Sequence, residues 1–189
     1  MKEISVLTVK LLLICAIVAG LLAGVNSITT PIIAANEQAS FEAAMREVLP
    51  EASNFEAVAL DGFIPAETGV TLSSLYLADN GSYVANAVCS EGYGGDVSVM
   101  IGITPDLKVN QAKIMSMSET PGLGAKANTS EFINQYQGLG TTIAVVKNTV
   151  PDGNQIVAIS GATITSKAVT KAINTALEAA AWAKGGDSK

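Results

Sequence analysis

The first 25 residues limit the fold more than any other segment. From Ile4 to Val25 the only charged side chain is Lys10, and Leu11–Val25 carries no charge or strong polarity. A helix of about 20 apolar residues spans a bilayer. Residues 4–25 number 22, and Lys10 can reach toward the headgroups along its aliphatic stem. Lys2 and Lys10 are followed by no Lys or Arg until Arg46. The positive-inside rule therefore predicts a cytoplasmic N-terminus, with everything after residue 26 on the far side of the membrane. A cleaved signal peptide with its apolar region at 11–25 is the other reading, and it delivers the remainder to the same compartment.

Composition removes several kinds of chemistry. The chain has no histidine, which excludes His-based metal sites and Ser-His or Cys-His catalysis. Its two cysteines, Cys15 and Cys89, lie too far apart in character to pair, the first being inside the apolar run. Two isolated cysteines also cannot hold an iron–sulfur cluster, which takes four ligands. No metal site is expected. With 17 acidic against 11 basic residues the net charge is -6, and no basic patch is present to meet nucleic acid. Redox chemistry in such a chain has to come from an organic cofactor.

Three segments follow from the patterning: an anchor at 1–28, a linker helix at 29–50 and one domain at 51–189. Pro31 suits the first turn of the linker helix and Pro50 its end. From Phe55 the pattern changes to short β-type runs at 55–60, 70–78, 83–89, 97–103, 109–117, 143–147 and 156–159. Asn80-Gly81 between the second and third is a hairpin signal. A short helix is expected at about residues 129–137 on the same patterning grounds. In Ser166–Ala183, Val169, Ile173, Ala176, Leu177 and Ala180 recur at helical spacing. The expected class is α+β: a largely antiparallel sheet with helices packed on it.

Three loops carry the chemical signals. Ser160-Gly161-Ala162-Thr163-Ile164-Thr165-Ser166 joins the last strand to the last helix. Unpaired N–H groups and the helix dipole make such a turn a natural anion site, and its small residues allow close approach. The same residues also read as a plain helix cap through Thr165 or Ser166. Glu119-Thr120-Pro121-Gly122-Leu123-Gly124 reads as a turn whose exposed backbone could take a flat ligand, or as a simple structural loop. Glu91-Gly92-Tyr93-Gly94-Gly95-Asp96 is glycine-rich, yet it lacks the lysine and helix of a phosphate loop.

Taken in this order behind one N-terminal anchor, the three loops resemble the FMN-binding domain family of ion-pumping respiratory complexes. The short chain is most similar to the G-subunit type of the Rnf ferredoxin:NAD⁺ oxidoreductase, and more distantly to the C subunit of the sodium-pumping NADH:quinone reductase. The resemblance implies FMN held covalently by a phosphoester to Thr163, made outside the cytoplasm by a flavin transferase. It implies that Ser160, Gly161, Ala162 and Thr165 surround the phosphate. Glu119, Thr120, Leu123, Gly124 and Tyr93 then belong to the cofactor site, with Lys147 a basic residue near the flavin. The implied function is electron relay in a membrane-bound Na⁺- or H⁺-translocating complex, beside other integral membrane and redox subunits. No catalytic residue of its own is expected. One departure stands out: the family usually has an acid three positions before the SGAT serine, where the transferase recognises it, and here that position is Val157. Asp152 lies five residues earlier. A membrane-anchored scaffold or accessory protein, lacking covalent flavin or working outside such a pump, is therefore the alternative.

Overall fold

A computed structural model describes residues 2–140, 142–147 and 149–186. The chain divides between Ala43 and Ala44 into two compact units. The first unit is helical throughout, the body of a single helix, α1 (Lys2–Val48). Its large apolar side chains stand exposed at Ile4 and from Leu7 to Ile33. Among the described residues it is the one helix long and apolar enough to cross a membrane.

The break expected near residue 28 is absent, and Pro31 lies inside α1. Proline removes the donor to the carbonyl four residues back, that of Ser27, which ordinarily ends or kinks a helix. Threonine hydroxyls serve the turn just before it: Thr29 donates to the Val25 carbonyl at 3.0 Å and Thr30 to that of Asn26 at 2.7 Å. Such side-chain donors are a recognised way for apolar helices to carry proline. The rule that ends a helix before proline does not hold here, and the helix continues through Pro31.

The second unit is built on a five-stranded antiparallel meander: β1 (Phe55–Ala57), β2 (Val70–Ala78), β3 (Tyr83–Cys89), β4 (Val97–Ile103) and β5 (Val109–Met117), each beside its chain neighbour. β2 to β5 occupy the predicted ranges. β1 stops three residues early, after which Val58 makes one more bond to the Leu75 carbonyl. Gly81 takes φ +80 in the β2–β3 turn, a conformation that glycine adopts without strain. β4 is buried at every position. The last turn of α1 covers one of its faces: Asn110 donates to the Val48 carbonyl at 2.9 Å, and a Cβ on Gly102 would lie 2.2 Å from that same oxygen.

The other face of the sheet carries the last helix, α3 (Thr163–Gly186), which begins three residues before the predicted start. Val169, Ala172, Ile173, Ala176, Leu177 and Ala180 on one side of it are fully buried. Alanines at every turn let the helix lie close against β2, β3 and β4. A small pair of strands, β6 (Ala144–Val146) and β7 (Gln155–Val157), runs parallel. Side-chain amides tie this pair to its surroundings. Gln135 accepts from the Val157 N–H at 2.8 Å and donates to its carbonyl at 3.4 Å, while Asn174 brackets Ile143 in the same manner at 2.9 and 3.1 Å. Residues 129–137, expected as one helix, form a single α-turn, α2 (Ser130–Ile133), continued as 3-10 helix through Tyr136.

Tyr136 is wholly buried, and its hydroxyl lies 2.8 Å from Thr170 Oγ1. Burial pushes its phenol well above the ordinary tyrosine range, with the Thr170 hydrogen bond opposing weakly. A folded-state value above the unfolded one means this contribution is complete below the unfolded tyrosine pKa of about 10 and is lost as pH rises toward the folded value. The denaturation midpoint should therefore begin to fall at about pH 10 and keep falling as pH rises further. Tyr136→Phe should lose less over that range while starting about 1 kcal/mol less stable at neutral pH.

Candidate functional site

Three segments distant in sequence meet at the first turn of α3. Gly161, at φ +79, turns the chain sharply after β7, and the side chain of Leu123 lies over it, 3.2 Å from where a Cβ would stand. Ala162 precedes the helix and carries no capping side chain. Ser166 does not cap either: its hydroxyl accepts from the Ile159 N–H at 3.0 Å and donates to the Ala162 carbonyl at 2.9 Å. Thr165 donates its hydroxyl to Glu119 at 2.9 Å. The two residues suited to capping are thus engaged elsewhere. The N–H groups of Thr163, Ile164 and Thr165 lie ahead of any intrahelical acceptor, as first-turn amides do.

Glu119 is the hub of this region. Only 8% of its surface is exposed, and one carboxylate oxygen accepts the Thr165 hydroxyl while the other accepts the Gly94 N–H at 3.3 Å. Three glycines make room for it. A Cβ on Gly124 would stand 2.5 Å from the carboxylate, one on Gly92 2.8 Å from it, and one on Gly94 1.9 Å from the Ser118 carbonyl. Gly124 is therefore a packing requirement of this buried acid, and Gly92 and Gly94 are required mainly by the backbone carbonyls of Gly95 and Ser118 beside it.

Above the carboxylate lies a cavity of about 450 Å³ lined by Tyr93, Glu119, Thr120, Leu123, Gly124, Gly161, Ala162, Thr163, Ile164 and Thr165. Nine of the eleven residues expected at the cofactor site meet there. The other two do not. Ser160 is exposed and lines a neighbouring cavity of about 630 Å³ with Lys126, Gln135 and Val157. Lys147 is exposed just past β6 and lines neither cavity. Ile164 joins the lining without having been expected there. Its signal in the sequence is an apolar residue between two threonines at a helix start, and it is 52% exposed at the cavity mouth with Leu123 at 46% and Tyr93 at 71%.

The cavity wall thus has a half-buried hydroxyl, Thr163, at a helix N-terminus, an apolar mouth and one charged side chain. Among the described residues no cluster of His, Cys, Asp or Glu could hold a metal ion. Burial pushes the Cys89 thiol up, away from a reactive thiolate.

The FMN-binding domain family matches residues 92–178, which include all three loops, and the RnfG N-terminal region matches residues 1–48. The G subunit of the Na(+)-translocating ferredoxin:NAD(+) oxidoreductase complex of Acetobacterium woodii is 36% identical over 94% of this chain and 91% of its own length. The chain belongs to this G-subunit family. The proton-translocating counterpart from Clostridium ljungdahlii is 32% identical over 98% of this chain and 96% of its own length. Among solved structures, NqrC of Shewanella oneidensis shares the fold with a TM-score of 0.55 at 17% identity, over 71% of this chain and 82% of that one.

Gly124→Ala tests the packing around Glu119. Its methyl group would displace the carboxylate from Thr165, and the domain should lose about 1–3 kcal/mol in thermal or denaturant unfolding.

Proposed function

We propose that the chain carries FMN as a phosphoester on Thr163 and relays electrons as the G subunit of an ion-translocating ferredoxin:NAD⁺ oxidoreductase complex. The observation that carries this reading is the position of Thr163. It is the first residue of α3, half-buried, and it lines the cavity together with the small turn residues Gly161 and Ala162. Helix N-termini favour phosphate through their free amides and dipole, so a phosphate there needs no basic side chain.

The cavity suits the rest of the cofactor. Its volume lies in the usual range of cofactor sites, about 300–1,000 Å³. Tyr93, Leu123 and Ile164 offer apolar contact to a flat ring at the mouth, and Thr120 and Thr165 add polar groups along the wall. FMN supplies the electron carrier. The protein supplies attachment, orientation and electrostatic environment. Ser160 and Lys147, outside the lining, are left out of the proposed cofactor set.

In forming the ester, the Thr163 oxygen bonds the phosphorus of an FMN group held as a phosphoanhydride of a nucleotide donor by a flavin transferase, the anhydride P–O bond breaks, and the hydroxyl proton leaves with the departing nucleotide phosphate. A tether of this kind keeps a domain outside the cytoplasm loaded where no pool replaces lost cofactor. The distribution of Lys2, Lys10 and Arg46 supports a cytoplasmic N-terminus with α1 as a single-pass anchor. Other integral membrane and redox subunits of the complex are the proposed donors and acceptors.

A second reading, a membrane-anchored domain without covalent flavin, is favoured by Val157. This residue sits half-buried in β7, its backbone held by Gln135, at the position where the family resemblance implies an acid for the transferase. Mass spectrometry of the tryptic peptide containing Thr163, taken from native membranes, separates the two. The flavoprotein reading expects the mass of FMN less one water on that peptide, and an unmodified peptide sinks it. Thr163→Ala should abolish the flavin fluorescence of the denatured band while the domain stays folded. Val157→Asp should raise the modified fraction; an unchanged fraction means that the valine is tolerated.

A further inference from the structure

Among the described residues, Glu119 is the only charged one lining the cavity, and no lysine or arginine offsets it there. A buried carboxylate without a cation is costly unless donors surround it. Here the donors are the Gly94 amide and the Thr165 hydroxyl, at 3.3 and 2.9 Å, and Thr165 stands in the first turn of α3, where the helix dipole favours negative charge. The carboxylate is thereby fixed in place, joining the Gly92–Gly95 loop on one side to the helix on the other. It cannot turn away to solvent without breaking both bonds, and Gly124 packs against it from a third direction.

Resting on the proposed attachment of FMN, we infer that Glu119 is a positioning residue with an electrostatic function. It holds the two walls of the cavity in their cofactor-accepting arrangement, and its fixed negative charge lowers the reduction potential of a flavin bound above it. Two-electron reduction makes a flavin more electron-rich, and a carboxylate in a low-dielectric wall disfavours that form more strongly than it would in water. The two electrons arrive from and leave to partner redox subunits. Glu119 itself exchanges no electron. The effect opposes that of the α3 N-terminus, which favours added negative charge, so the cavity wall holds two opposed fields, linked by the Thr165–Glu119 hydrogen bond. A flavin poised by such a pair suits transfer between low-potential partners.

The test is redox titration of the flavin in the intact, flavin-loaded protein, comparing wild type with Glu119→Gln. Glutamine keeps the shape and one acceptor oxygen, and its amide can donate to the Thr165 hydroxyl, so the cavity walls stay together while the charge is lost. The reduced-to-oxidised ratio at a fixed poise should rise about tenfold, which is about 30 mV for a two-electron couple. A loaded, folded Glu119→Gln with the wild-type potential overturns the inference. If Glu119→Gln carries no flavin, Thr165→Val decides by amide hydrogen exchange of the folded protein. Loss of that strut, with the charge retained, should speed exchange at Gly94 about tenfold, and unchanged exchange overturns the inference. Wild-type protein without flavin on Thr163 sinks instead the proposed function on which this one rests, so the two failures are distinct.

Discussion

A carboxylate placed out of water with no cation beside it has to be met by hydrogen-bond donors, and the region around Glu119 is shaped by that demand. The Gly94 amide and the Thr165 hydroxyl meet it. To do so they must come from the loop after β3 and from the first turn of α3, which draws two walls of the cavity together. Gly92, Gly94 and Gly124 are then required for lack of space rather than for flexibility at the site itself. Thr165 is thereby diverted from capping, and the helix N-terminus stays open toward the cavity.

The larger framework makes this placement repeatable. The meander sheet with α3 across one face and the last turn of α1 on the other buries β4 completely. α3 is held along its whole length by alanine-rich packing and by polar side chains that bond across it: Thr170 with Tyr136, Asn174 with Ile143, and Lys171 with Glu91 at 3.0 Å. A helix so anchored presents its first turn at a defined point, which an anion site needs.

Much of this is legible in the sequence, for reasons tied to particular residues. The ranges of β2 to β5 follow from alternation and from breakers such as Asn80-Gly81, because hairpin strands are specified by local pattern. The loops at 92–95, 119–124 and 160–166 are legible as motifs, and the structure brings nine of the eleven residues chosen from them and around them into one cavity. The parts not legible depend on contacts far apart in the chain. The bond of Glu119 to Thr165 spans 46 residues and no local pattern encodes it. Ser160 faces the neighbouring cavity because Gly161 reverses the chain immediately after it. The parallel pairing of β6 with β7 joins strands of three residues, too short for a period to declare itself. The continuity of α1 through Pro31 runs against a rule about proline alone, since a long apolar helix can carry one.

The meander has a temporal side. Strands β1 to β5 are complete by Met117, whereas Thr163 and Thr165 lie near the end of the chain. Synthesis runs from the N-terminus, and a domain folds as a unit once its last element is present. Glu119 and the Gly92–Gly95 loop are therefore synthesised before the segment that closes the cavity exists. Thr163 and Thr165 lie on the last element to be made, and Thr165 completes the shell of donors around the acid. Completion of the cavity wall and of the donor shell around Glu119 therefore waits for the final helix.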